Sequence, residues 1–128
     1  WPWRRLRQFL LIVRAGSLPV QSGSDAARIF RFGGHAGCVS CFMCGSAAES
    51  MRHFMFECSA YAHIKQRFSA RARCLSWDLW PAMFWCFPVV DWKEVTQMWY
   101  MMWCFRVKRG MRLFPDTQAG FRSYLINF

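Results

Sequence analysis

Between Cys41 and Cys58 the chain gathers three thiols and an imidazole in the order Cys41, Cys44, His53, Cys58, with the spacing Cys-x2-Cys-x8-His-x4-Cys. Zinc favours four tetrahedral ligands drawn from thiolate and imidazole, and a closed set of four marks a structural site rather than a catalytic one. A Cys-x2-Cys turn can place both sulfurs on one ion. Residues 49–56 are then long enough to bring His53 and Cys58 round to its opposite side. A lone Cys-x2-Cys pair would read as small buried hydrophobes. Completed by His53 and Cys58, the set reads as a Zn2+ site. Cys38 stands three positions before Cys41, so Cys38 with Cys41 is an alternate first pair. His35 and His63 are weaker ligand candidates.

These ligands need elements to hold them. Along an α-helix His53 and Cys58 lie about one and a half turns apart, so a loop or bend is expected between them. After Cys58 a helix capped by Ser59 is expected to run to about Arg73. Tyr61, Ile64 and Phe68 form its i, i+3, i+7 stripe, packed beneath the knuckle. Lys65, Arg67, Arg71 and Arg73 make it the most basic helix and the best candidate for tracking a nucleic-acid backbone, and with Arg52 they are the candidate nucleic-acid-binding residues. Three thiolates and a neutral imidazole leave Zn2+ with one net negative charge, which nearby Arg52 would offset, with backbone N–H groups bonding the sulfurs. The fold class this implies is mainly α, a small helical domain organised around a Cys-Cys-His-Cys zinc knuckle.

The motif also carries a resemblance. The run Cys-x2-Cys…Glu49-Ser50-x2-His53-Phe54-x-Phe56-Glu57-Cys58-Ser59-x-Tyr61…Ile64-Lys65-x-Arg67-Phe68 resembles the zinc-binding segment that follows the reverse transcriptase of non-LTR (LINE-type) retrotransposons. Upstream, Leu6-Arg7-x-Phe9…Arg14-Ala15-Gly16-Ser17-Leu18-Pro19-Val20…Gly23 looks like that family's Arg-x-Gly-Ser lead-in. The resemblance covers roughly residues 4–68 and favours Cys41 with Cys44 over the pair that begins at Cys38. It implies a non-catalytic segment of a larger reverse-transcriptase polyprotein that holds template RNA or target DNA. There are departures: Arg before the first cysteine is replaced by a Gly/His-rich stretch, and the acid expected after Glu49 is Ser50. A decayed or rearranged copy would read this way.

The remaining chain divides into a lead-in (1–37), the knuckle with its basic helix (38–73) and an aromatic-rich region (74–128), one domain overall. Residues 3–15 read as a helix with Trp3, Leu6, Leu10 and Val13 as its apolar stripe and Gly16 as its stop. Arg4, Arg5, Arg7 and Arg14 are its polar faces. Residues 16–37 read as loop with one short helix near 25–32. Residues 74–90, rich in Trp and Phe and punctuated by proline, read as short turns that pack a core, with base stacking the lesser reading. Asp91-Trp92-Lys93-Glu94 is a capping box, opening a helix expected to stop at Gly110. Val95, Met98, Trp99, Met102 and Arg106 share one side of it. The helix is apolar nearly all round, which implies burial or a docked partner. Arg106, Lys108, Arg109 and Arg112 read as favourable charge at its C-terminal end. Residues 115–128 read as a weakly packed tail.

Composition bounds the function. The 128 residues carry 17 Lys and Arg against 7 acids, a formal +10, which favours an anionic partner, nucleic acid before membrane. The acids are scattered singly, so neither a polymerase metal site nor a ribonuclease H site can be built, and no small-molecule substrate is implied. Seven cysteines is an odd number, which fits a reducing intracellular setting, nuclear or cytoplasmic, better than secretion. No apolar run reaches the ~18–20 residues of a transmembrane helix. The chain begins with Trp1, which reads as a piece of a larger open reading frame. Two other readings compete with nucleic-acid binding. One is a structural or protein-interaction module docking through its Trp/Met-rich C-terminal helix. The other is a non-functional remnant.

Overall fold

The computed structural model describes residues 1–15, 41–45, 49–75 and 91–113, and among these every regular element is helical. In chain order they are α1 (Trp3–Arg14), a π turn (His53–Glu57), a 3-10 turn (Ser59–Tyr61), α2 (Ala62–Lys65), α3 (Ala70–Arg73) and α4 (Trp92–Leu113). The expected helical fold class is therefore what the chain adopts. The Gly16 stop, the 16–37 loop and its short helix, His35, Cys38, the aromatic stretch 76–90 and the tail 115–128 lie outside the described residues.

Asp91 starts the longest helix. Its Oδ1 accepts the N–H groups of Lys93 and Glu94 at 3.1 and 3.2 Å, satisfying two donors that have no partner within the helix. The other half of the expected box goes elsewhere: Glu94 Oε1 accepts the Ser69 N–H at 2.8 Å. Ser69 in turn caps α3 by accepting the Ala72 N–H. One carboxylate thus ties the start of α4 to the start of α3.

The helix does not stop at Gly110 but continues to Leu113. A glycine inside a helix costs only about 1 kcal/mol relative to alanine, and Gly110 is buried rather than at a free end. The 22 residues of α4 make a rod of about 33 Å, and α1, α2 and α3 all pack on it. Val95, Met98, Trp99, Met102, Trp103 and Val107 are buried, so the helix that is apolar nearly all round is the core of this chain.

The α1 stripe is shifted from the expected one. Leu6, Phe9 and Val13 are buried, Leu10 is half-buried and Trp3 is exposed. The i, i+3, i+7 series starting at Leu6 points at α4, where Phe9 meets Tyr100 edge-on at 5.2 Å between ring centroids. Arg4, Arg5, Arg7 and Arg14 are exposed, as their polar role requires.

The single basic helix expected after Cys58 is in fact three short pieces. Ser59 makes no side-chain cap and opens a 3-10 turn, α2 ends at Lys65, and α3 starts afresh after the Ser69 cap. Ser69 competes for backbone N–H groups and so favours a helix start at that position. Tyr61 and Ile64 are buried and Phe68 packs partly against the core, as the stripe implied.

Candidate metal centre

Two local structures build the centre. The first is the turn 41–45, closed by a Gly45 N–H to Cys41 C=O hydrogen bond of 2.7 Å. Gly45 takes φ +76°, a left-handed conformation that costs other residues roughly 1–2 kcal/mol. This turn sets Cys41 and Cys44 side by side, as a Cys-x2-Cys pair requires.

The second is the helical turn that carries His53. Ser50 Oγ accepts the His53 N–H at 3.1 Å, and Ser50 C=O accepts the Phe54 N–H at 2.9 Å. Ser50 therefore acts as an N-cap, at the position where the resembled family carries an acid. Beyond it the helix widens into a π turn, with the Cys58 N–H bonding the His53 C=O at 2.7 Å. The expected loop between His53 and Cys58 is instead this wider turn. An α-helix would put residues five apart about 140° out of phase. The i→i+5 bond reduces that angle, and Cys58 then turns extended (ψ 123°).

The four side chains converge. Cys41 Sγ, Cys44 Sγ, a His53 ring nitrogen and Cys58 Sγ all lie within 4.8 Å of one another. Cys41 and Cys58 sulfurs are 4.0 Å apart, and Cys44 Sγ is 3.3 Å from His53 Nε2. A tetrahedral Zn2+ with ordinary bond lengths has ligand separations of about 3.8 Å between sulfurs and about 3.5 Å between sulfur and nitrogen. The set therefore fits a four-coordinate ion. Cys41, His53 and Cys58 are buried and Cys44 is half-buried, and none of the three cysteines is in a disulfide. His63 is exposed and rests edge-on against Phe105, away from the cluster.

The electrostatics suit a cation. A hydrogen bond from the Cys58 thiol, helped by the N–H groups of Cys44 and Met43, pulls the Cys41 thiol down to about 5. The same contact, together with burial, pushes Cys58 up. Burial opposes charge on His53, but its bonds to Cys44 and Cys41 outweigh this and raise it. Cys41 thus gives up its proton more readily than Cys58, and a metal would displace the protons the ligands still hold.

Arg52 and Lys65 stand in different surroundings. Arg52 is exposed and its Nε bonds Glu57 Oε1 at 2.6 Å, so its charge is matched by an acid. Lys65 is half-buried and lies within electrostatic reach of Cys58: burial lowers its pKa while Cys58 raises it. Arg67, between α2 and α3, and Arg71 and Arg73, on α3, are exposed. Arg71 shares a cavity with Asp91 and Glu94, which weakens its local positive field.

The centre is also tied to the core by a pair that sequence reasoning missed. Arg106, fully buried on α4, donates from Nε to Glu49 Oε2 at 2.7 Å and from Nη2 to Glu49 Oε1 at 2.5 Å. Its guanidinium also lies 4.9 Å from the ring centres of Phe42 and Trp103. Phe42 sits between the first two ligands, so one arginine grips both sides of the knuckle. Arg106 is not a helix-end charge. The signal that could have found it is its place on the buried stripe with Val95, Met98, Trp99 and Met102, where a charge demands a buried partner.

No protein-family model matches this chain, and neither a curated protein nor a solved structure gives a significant match. Among the described residues, no helix is long and apolar enough to cross a membrane.

Proposed function

We propose that the chain is a zinc-stapled, non-catalytic module that holds a nucleic-acid backbone, with Zn2+ bound by Cys41, Cys44, His53 and Cys58. The observation that carries this reading is the closed set of four ligand atoms within 4.8 Å of one another. Four protein ligands leave no position for a reacting water, so the ion is structural. A formal +10 with Arg67, Arg71 and Arg73 exposed beside the knuckle makes phosphate the natural partner. The motif residues Glu49, Ser50, His53, Phe54, Phe56, Glu57 and Cys58 support placing it in a retrotransposon-type reverse transcriptase, where it would hold template RNA or target DNA for the catalytic domains.

The alternative is an interaction module docking through its Trp/Met-rich helix. It has less support, because Met98, Trp99, Met102 and Trp103 are buried within the chain. Salt dependence tests the choice. Backbone binding weakens steeply as salt rises, and neutralising Arg67, Arg71 and Arg73 together should lower the log–log slope by about 2–3. Binding that holds or strengthens with salt would refute the backbone reading.

A further inference from the structure

Beside α2 and α4 lies an open groove of about 310 Å3, away from the metal centre. Trp1, Met101 and Phe105 give it apolar and aromatic walls, and His63, Arg67 and Lys108 line it with polar and cationic groups; among the described residues no acid lines it. Trp1 is half exposed, held edge-on against Tyr100 at 4.7 Å, and His63 is held edge-on against Phe105 at 4.8 Å. Its volume falls at the lower end of the ~300–1,000 Å3 typical of small-molecule sites, which suits one planar ring with its sugar. A flat aromatic ligand gains from the π faces, and a negative charge attached to it gains from the two cations. A nucleotide unit has both features.

We propose that this groove receives one unpaired base of a single-stranded nucleic acid, with the adjoining phosphate held by Arg67 and Lys108. This deepens the backbone-binding reading and rests on it. Arg67 belongs to both surfaces, so a strand lying along the exposed arginines of α2–α3 passes the mouth of the groove. A duplex keeps its bases stacked inside and cannot fill it. The groove therefore makes the module select single strands over duplex.

The test uses the zinc-loaded chain and a labelled oligothymidine of about 12 nucleotides, near the span of one single-strand site. It is compared with the same strand paired in a duplex and with an abasic strand of equal length. The base-bearing single strand should bind tightest. Trp1→Ala should weaken it about tenfold, the loss of one stacked base, leaving its salt slope and the duplex affinity unchanged. Arg67→Gln with Lys108→Gln should lower the slope on the single strand by about 1.4. Helical signal and zinc content confirm that each variant is folded, and exposed His63→Ala stands in for Trp1→Ala should that variant fail. If all three ligands bind alike and Trp1→Ala leaves them so, the groove proposal is overturned while the backbone reading stands. If none binds, the backbone reading itself falls, and the groove with it.

Discussion

Arg106 and Glu49, 57 positions apart in the chain, meet as a two-bond ion pair with both side chains buried. Glu49 leads into the turn that carries His53, and Arg106 lies on the central helix. The pair is therefore a polar link between the metal-ligand turn and the core, beside the Phe54–Trp103 and Phe56–Trp99 ring contacts. Removing one partner strands the other charge in the interior, which typically costs about 3–5 kcal/mol. Arg106→Met should lose stability on that scale in denaturant unfolding of the zinc-loaded chain. The double variant Glu49→Leu/Arg106→Met should recover most of it, because a buried pair replaced by apolar groups is often neutral. Equal losses in the single and double variants would argue against the link.

Gly45 supplies a second, purely backbone constraint. A Cβ built there meets nothing within 4 Å, so substitution is sterically open. Its φ of +76° still penalises other residues. Gly45→Ala should destabilise the zinc-loaded chain by about 1–2 kcal/mol and weaken zinc binding in parallel, read by competition with a chromophoric chelator. No change in either would mean that the turn is not needed in this form.

Arg52 gives a control on the same segment. Its ion pair with Glu57 has both side chains about half exposed, and such pairs contribute about 0–1 kcal/mol. Arg52→Ala should leave zinc content intact and shift the unfolding midpoint little. A loss of metal would mean that Arg52 offsets the charge of the centre.

Much of the site was legible in the sequence because metal chemistry demands particular atoms at particular spacings. Cys41, Cys44, His53 and Cys58 could be chosen without coordinates. So could the start of α4, because Asp91 acts through neighbours two and three residues away. Legibility ended where a partner is distant in sequence or two local rules conflict. Arg106 stands on the apolar stripe and so calls for a buried partner, but nothing local names Glu49 as that partner until the fold brings them together. Gly110 obeys a local stop rule that burial overrides. Ser59 and Ser69 are both plausible caps, and only packing selects Ser69. The spacing of Trp3 from Leu6 suits a buried stripe, yet α1 turns Leu6, Phe9 and Val13 inward and leaves Trp3 outside.

Acid should release the metal. Zinc requires thiolates and a neutral imidazole, so protons compete with it and affinity rises with pH. In the metal-free chain Cys58 and His53 hold their protons more tightly than usual, whereas Cys41, lowered to about 5, does not. The metal-bound state carries fewer protons than the metal-free state, so the stability contributed by zinc is present at neutral pH and lost as pH falls. Zinc binding at neutral pH should release protons, measurable as a buffer-dependent heat in calorimetry. A buffer-independent heat would mean that the ligands carry no protons to lose.

The most direct test of the central claim is zinc content of the purified chain beside Cys44→Ser and His53→Ala, with helical signal followed in each. One zinc per chain is expected, lost in both variants along with helicity, since binding of a structural zinc contributes about 10–16 kcal/mol to folding in small zinc domains. A folded chain without zinc, or variants that keep their full metal content, would contradict it.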